Sequence, residues 1–236
     1  MATTSSGLKP SVLLVQLGAV GVVAYALLMP ADFGSRTHAH PFAMGFLKLF
    51  FLGAFGELLK CRIVRGAWAL DHVWERACVW GIFGWWFTLA FPGFSALTEA
   101  LVAGGLWPGS VNIIPDQLWM AFSKSLWINL LGMFAWGMML THEYFNHLIR
   151  TRWRVWGLAD FAANSDAGFA LAFLPKTILF WVPAHTFTFA MPAEWRVFIA
   201  ALLAIVLGFL LSVGRRSSGA QQPSKDTRRS EKPVQA

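Results

Sequence analysis

Hydrophobic residues run along this chain in six long segments, and polar or charged stretches separate them. At a rise of about 1.5 Å per helical residue, each segment is long enough to cross, or nearly cross, a hydrocarbon layer of about 30 Å. The first, third and last segments hold no charged residue inside their ends. The pattern predicts an all-α, polytopic transmembrane helix bundle of about six spans, at residues 12–29, 42–59, 77–97, 118–141, 167–191 and 196–213.

Two of these segments leave an alternative open. The second is short and carries Lys48 and Glu57, so an amphipathic helix lying in the membrane interface competes with a span. The first contains Ala-Tyr-Ala at residues 24–26, which is compatible with signal-peptide cleavage after that triplet. The apolar run continues to Met29 and only Lys9 precedes it, which favours a retained helix.

The composition excludes an ordinary soluble domain. The chain is 56% hydrophobic and 13% charged, whereas about 25% of the residues of a typical soluble domain are charged. Thirteen Trp and 21 Phe add more bulky apolar surface than one core of this size hides from water. Lipid is therefore the solvent that the sequence predicts for most of the chain.

Basic residues are distributed as the positive-inside rule requires. Of the 19 Lys and Arg residues, fourteen fall on one side of the six-span arrangement, two fall on the other and three lie within spans. Because cytoplasmic loops are enriched in Lys and Arg, both termini are expected in the cytoplasm, in a plasma (bacterial inner) membrane. The basic residues sit between apolar runs and form no folded patch, so nucleic acid is not an expected partner.

The chain divides into a membrane part and a polar tail. Residues 1–213 are predicted to form a single transmembrane helical domain. Beyond Gly214 the sequence consists of Ser, Gln, Pro and charged residues, which is too polar to fold alone. Residues 214–236 are therefore expected to be a disordered basic cytoplasmic tail.

Charged side chains within the spans are the main candidates for function. A lysine at the centre of a transmembrane helix costs about 2.5–3.5 kcal/mol unless something compensates for it. Lys48 and Lys124 lie near one end of their spans, where snorkelling competes with a functional role, whereas Lys176 lies at the midplane. Glu57 is the one acid well placed among the helices, so the lysines leave an excess of positive charge. Water, a neutral lysine or a bound anion would compensate for that excess.

Two further polar residues join this set. Asn129 lies one turn after Ser125 on the fourth span, where it lines a pathway or forms a packing hydrogen bond between helices. His185 is the histidine that lies clearly within a span. The predicted pathway-lining residues are Lys176, Lys124, Lys48, Glu57, Asn129 and His185.

Metal binding and catalysis are not predicted. His142-Glu143 with His147 resembles a zinc-protease helix, but the two histidines are five residues apart and that motif needs four. Cys61 and Cys78 have no metal-type spacing. A membrane-embedded enzyme needs a paired acid and base or a metal cluster, and the sequence indicates neither. We therefore expect no cofactor, no metal and no enzymatic activity.

The C-terminal third carries a pattern that resembles the signature of a known family. Trp181-Val182-Pro183, Pro192 followed by Arg196, and Leu211-Ser212 at the end of the last segment resemble the signature of the Mpv-seventeen / 22-kDa peroxisomal membrane protein family. The resemblance covers residues 42–213. It implies a small helical integral membrane protein, in a family proposed to form pores or move small solutes and without established enzymatic activity.

Pro192 and Arg196 are expected to be structural within this pattern. Proline sets the start of the last helix, and Arg196 reaches main-chain carbonyls or lipid phosphate at the interface. Taken together, the sequence predicts a membrane protein that provides a pore or transport pathway for a small anionic solute. The alternative is a non-catalytic membrane assembly or lipid-interacting protein. The expected partners are the lipid bilayer and a small solute, and self-association into a homo-oligomer is left open.

Overall fold

The computed structural model describes residues 9–154, 156–164 and 167–219. Within them it consists of helices alone: nine α-helices, one short 3₁₀ turn at Ala193–Trp195 and no strand. This confirms the predicted all-α class. The helices are α1 (Pro10–Leu28), α2 (Pro30–Ala39), α3 (Pro41–Arg65), α4 (Val73–Ala103), α5 (Asp116–Leu130), α6 (Phe134–Arg150), α7 (Leu158–Asn164), α8 (Ala167–Ala190) and α9 (Arg196–Gly219).

Four helical segments among the described residues are long and apolar enough to cross a membrane. They are α1, α3, α4 and Ala193–Leu210, which includes the first part of α9. The second predicted span is among them, because α3 continues to Arg65 and is longer than the apolar run that predicted it. These four segments indicate a multi-pass membrane protein. In α8, the described apolar stretch is the shorter Ile178–Ala190.

The fourth predicted span, residues 118–141, is wrong as a single helix. The chain forms α5 and α6 instead, with a break at residues 131–133 where Met133 adopts a left-handed conformation with φ 44°. Gly132 permits the break, because a Cβ atom there would overlap the Phe94 ring and the main-chain oxygen of Ile128. All three residues of the break are apolar or glycine, so the hydropathy pattern continues through it.

The helix α3 lies at the centre of the packing. It runs antiparallel to α4, with Gly45 close to Gly84 at one end and Glu57 paired with Arg76 at the other. A Cβ atom on Gly84 would overlap the Gly45 carbonyl, so these glycines allow the two backbones to touch, as small residues do between membrane helices. On its other side α3 runs parallel to α9, because Lys48 contacts Glu194 and Gly56 faces Ile205.

Apolar side chains occupy both the interior and the outside of the bundle. Phe87, Phe91 and Phe134 are buried and pack ring against ring in the core. On α1, Leu17 and Leu27 are more than half exposed. Exposed apolar side chains on a helix of this length are what a lipid-facing surface requires.

The last helix extends past the predicted domain boundary at residue 213. The chain is helical through Gly219. The first part of the predicted tail therefore continues α9, and residues 220–236 lie outside the described residues.

Candidate functional site

A buried lysine lies near the beginning of α3. The Lys48 side chain is only 1% exposed. Its Nζ donates hydrogen bonds to Thr37 Oγ1 at 2.7 Å and to the main-chain oxygen of Glu194 at 3.2 Å, and it lies 4.3 Å from the centre of the Phe33 ring. Lys48 therefore does not reach a surface by snorkelling, which was the alternative explanation for its place in a span.

The charge of Lys48 has no opposite charge in contact with it. None of the ion pairs in the described part of the chain includes this lysine. An ammonium group has three N–H donors, and the described residues accept hydrogen bonds from Lys48 at two oxygen atoms. Two neutral oxygen atoms and the face of the Phe33 ring therefore surround Lys48 Nζ, and no acidic side chain among the described residues is in contact with it.

Lys48 lines a cavity of about 300 Å³ between α2, α3, α4, the 3₁₀ turn and α9. Its polar and charged lining residues are Thr37, His38, Lys48, Thr88, Glu194 and Arg196. Its other lining residues are Pro41, Gly45, Phe91, Pro92, Ala193 and Val197. We call this cavity the Lys48 pocket.

Prolines shape the walls of the Lys48 pocket. Pro30 and Pro41 stand at the first positions of α2 and α3, where proline starts a helix without losing a hydrogen bond. A single residue, His40, lies between α2 and α3. Pro92 lies inside α4, where it has no N–H to donate to the main-chain oxygen of Thr88. Both Thr88 and Pro92 line the pocket. Neither residue is among the predicted pathway-lining residues.

Arg196 forms one edge of the pocket and also fixes its own turn. Its Nε donates to the main-chain oxygen of Met191 at 3.2 Å, and its Nη2 donates to that of Phe189 at 3.4 Å. Pro192 immediately precedes the 3₁₀ turn that leads into α9. Arg196 was expected to reach main-chain carbonyls or lipid phosphate; the structure shows carbonyl contacts and also places Arg196 in the wall of the pocket.

Glu57 lies further along α3 in a different environment. Its carboxylate accepts hydrogen bonds from Arg76 Nη1 at 2.7 Å, Trp80 Nε1 at 2.8 Å and His142 Nε2 at 2.8 Å. Asn146 completes the group, with its Oδ1 2.6 Å from Arg76 Nη1. We call Glu57, Arg76, Trp80, His142 and Asn146 the Glu57 network.

His142 joins the network through both ring nitrogens. Its Nε2 lies 2.8 Å from Glu57 Oε1, and its Nδ1 lies 3.3 Å from the amide nitrogen of Asn146. The carboxylate of Glu57 and the guanidinium of Arg76 are in contact, so the network contains its own counter-charge.

This arrangement corrects the expectation that several lysines share Glu57. The partner of Glu57 is Arg76, and Glu57 does not line the Lys48 pocket. Lys124 has its own acid, because its Nζ lies 2.7 Å from Glu99 Oε1. Glu99 lies beyond the predicted third span, which ends at residue 97, whereas α4 continues to Ala103.

Asn129 and His185 form a third polar contact within the bundle. Asn129 Nδ2 lies 3.0 Å from His185 Nδ1 and 2.8 Å from the main-chain oxygen of Ser125. Both side chains are buried, and neither lines the Lys48 pocket. Phe91 connects the two places, since it lines the pocket and its ring centre is 5.6 Å from that of His185.

Of the six predicted pathway residues, the structure thus places Lys48 in a cavity and separates Glu57, Lys124, Asn129 and His185 from it. Lys176 belongs to α8, and its side chain lies outside the described residues. No group of three His, Cys, Asp or Glu side chains suited to a metal ion occurs in the part of the chain that the structure describes.

No protein-family model, curated protein or solved structure matches this chain.

Proposed function

We propose that this protein is a multi-pass transporter or channel of the plasma (bacterial inner) membrane that carries a small anionic solute, with the Lys48 pocket as the binding site on its path. The observation that carries the proposal is a buried ammonium group that faces a cavity and has no acid in contact with it. Ionisable side chains inside a membrane are rare and costly, and they commonly mark a solute or ion pathway.

The proposed topology has six spans, formed by α1, α3, α4, α5 together with α6, α8 and α9. Both termini then lie in the cytoplasm. The support is the distribution of basic residues between the two ends of the bundle. The end with the Glu57 network has four of them at the ends of α3 and α6: Lys60, Arg62, Arg65 and Arg150. The end with the Lys48 pocket has Arg36 and Arg196. By the positive-inside rule, the Glu57 network lies on the cytoplasmic side and the Lys48 pocket on the outer side.

Electrostatics favour an anion over a cation or a neutral solute. An anion in the pocket compensates for the charge of Lys48 and accepts its remaining N–H, whereas a cation adds to an unbalanced positive charge. Charge-assisted hydrogen bonds from an ammonium group to an oxyanion are short and strong. The pocket is also small, at the lower end of the range of about 300–1,000 Å³ typical of small-molecule sites.

Flux into liposomes tests this proposal. The full chain is reconstituted, and uptake of small anions and cations is measured per folded molecule for the native protein, Lys48→Met and Lys60→Met. Lys60 is an exposed lysine on the same helix and is the matched control. We expect anion flux to be lost in Lys48→Met and retained in Lys60→Met.

A second lysine is tested in the same assay. Lys176→Met examines the midplane position that the sequence analysis singled out, and we expect it to lower anion selectivity. Absence of anion flux from the native, folded protein would overturn the transport proposal and favour a non-catalytic assembly role.

A further inference from the structure

We infer that the Lys48 pocket is specific for a monovalent organic oxyanion, that is, one carboxylate or phosphodiester group attached to an apolar group. This inference rests on the proposed function for its role in transport, because it names the class of solute that the same site takes. The binding itself is testable without any transport measurement.

The charges that line the pocket set the valence of the ligand. Lys48 and Arg196 are cationic and Glu194 is anionic, so these three side chains together carry a single positive charge. Glu194 forms no ion pair with either cation, so its charge acts on the pocket as a whole. A monovalent anion neutralises the pocket. A divalent anion leaves one negative charge buried and unpaired, which is costly in a medium of low polarity.

Unused donors point to oxygen atoms as the ligand's polar part. Lys48 donates to two oxygen atoms, and no further oxygen or nitrogen atom of the described residues accepts its third N–H. Arg196 uses Nε and Nη2 for main-chain carbonyls and has further N–H groups that no described residue accepts. The hydroxyl groups of Thr37 and Thr88 already donate to the main-chain oxygens of Phe33 and Gly84. Two cationic donors that line one cavity suit a carboxylate or phosphate group, which accepts several hydrogen bonds at once.

The remaining walls require an apolar part. Pro41, Phe91, Pro92 and Val197 provide carbon surface on the side walls of the pocket. A halide or sulfate ion covers none of this carbon surface, whereas a short alkyl chain attached to the anion removes it from contact with water, which favours binding. Ligand pockets typically combine such apolar walls with a few placed polar groups.

Two sources supply this chemistry, a free monocarboxylate and the phosphodiester of an anionic lipid. Binding of radiolabelled butyrate to the purified full chain in phosphatidylcholine nanodiscs measures the first. The same butyrate measurement in nanodiscs that contain phosphatidylglycerol tests for the lipid phosphodiester, because a lipid headgroup in the pocket excludes butyrate. Sulfate is the divalent competitor without an apolar group.

We expect saturable butyrate binding that excess sulfate does not displace. Lys48→Met is expected to weaken the affinity by about tenfold to a hundredfold, the loss that follows from removing a hydrogen bond to a charged group. Lys60→Met is expected to leave it unchanged. Glu194→Gln is expected to let sulfate compete, because it raises the net charge of the pocket to two.

A second variant tests the pocket independently, in case Lys48→Met does not fold. Ala193 lines the pocket and is exposed, so Ala193→Phe fills the cavity without removing a charge. It is expected to abolish butyrate binding, and Ala31→Phe, at an exposed position outside the pocket, is its control. Butyrate binding that falls with phosphatidylglycerol assigns the pocket to a lipid phosphodiester, and binding unaffected by it assigns the pocket to the free carboxylate.

Three results would overturn the inference: no saturable butyrate binding, binding of sulfate in preference to butyrate, or equal affinity in the native protein and both pocket variants. These failures are separable from failure of the transport proposal. Lys48-dependent binding without flux would overturn transport and retain the binding site. Anion flux without Lys48-dependent butyrate binding would retain transport and overturn the ligand class.

Discussion

The two regions at either end of α3 hold buried charge in opposite ways. In the Glu57 network, one carboxylate receives three donors from α4 and α6, and a guanidinium balances its charge. In the Lys48 pocket, one ammonium group has two neutral oxygen partners, no acid in contact and a cavity beside it. Glu57 thus connects α3 with α4 and α6, whereas our proposal assigns the neutralisation of Lys48 to a bound anion.

Removing Glu57 gives the largest expected loss of stability. Glu57→Ala leaves the half-buried Arg76 without its counter-charge, and breaking a buried pair in this way costs about 3–5 kcal/mol in the free energy of unfolding. Denaturant titration in detergent measures it. Glu75→Ala, which removes an exposed acid of α4 paired with His72, is the control and is expected to cost less than about 1 kcal/mol. A loss of similar size in both variants would show that Glu57 is not a structural link.

Removing Lys48 gives a much smaller change in stability than removing Glu57. Lys48→Met strands no opposite charge and replaces a buried ammonium by an apolar chain of similar length, so we expect the free energy of unfolding to change by less than about 1 kcal/mol or to rise. The same denaturant titration checks this. A loss as large as that of Glu57→Ala would mean that Lys48 is itself a structural residue, and the contrast between the two regions would disappear.

Lys124 is a lysine of the same bundle that does have an acid in contact with it. It therefore tests whether the lack of such an acid distinguishes Lys48. Its acid, Glu99, is 60% exposed, and ion pairs that reach solvent contribute about 0–1 kcal/mol. We expect Lys124→Met to change stability by less than about 1 kcal/mol and to leave anion flux and butyrate binding at native levels. If Lys124→Met abolished flux as Lys48→Met is expected to do, the pathway would not be defined by the pocket.

The smallest expected effect concerns the helix that covers the pocket. On α2, hydrogen bonds from the Tyr25 hydroxyl and from Arg36 hold the pKa of Asp32 below its usual range. Because the folded-state pKa is lowered, the stabilisation is present above the ordinary carboxyl pKa and is lost as the pH falls through the lowered value. We expect the melting temperature of the native protein to show this small acid-side decrease and that of Asp32→Asn to lack it. Identical pH profiles would contradict the assignment.

Hydropathy was sufficient for the helical class and for most of the long apolar segments. It could not predict the break between α5 and α6, because Leu131, Gly132 and Met133 are as apolar as the helices beside them. It also predicted no helix for the residues between the first two spans. That stretch is α2, which supplies Phe33 and Thr37 to Lys48.

The candidate site was predictable only in part for a related reason. A lysine inside an apolar segment is visible in the sequence, and Lys48 was selected on that basis. Its partners are not visible, because they come from α2 and from a main-chain oxygen at Glu194, far along the chain. Glu57 was selected by the same argument but proved to be paired with Arg76 and His142. Charge in a span thus identifies candidates, and only the partners distinguish a structural residue from a binding residue.

The most direct measurement is to locate a bound anion. The full chain is crystallised with 4-bromobutyrate, and the anomalous signal of bromine reports where the ligand lies. Our account predicts a bromine peak inside the Lys48 pocket, near Phe91 and Val197, with the carboxylate in contact with Lys48 Nζ, and no peak when Lys48→Met is crystallised in the same way. A peak at the Glu57 network, or a peak in the pocket that persists in Lys48→Met, would contradict it.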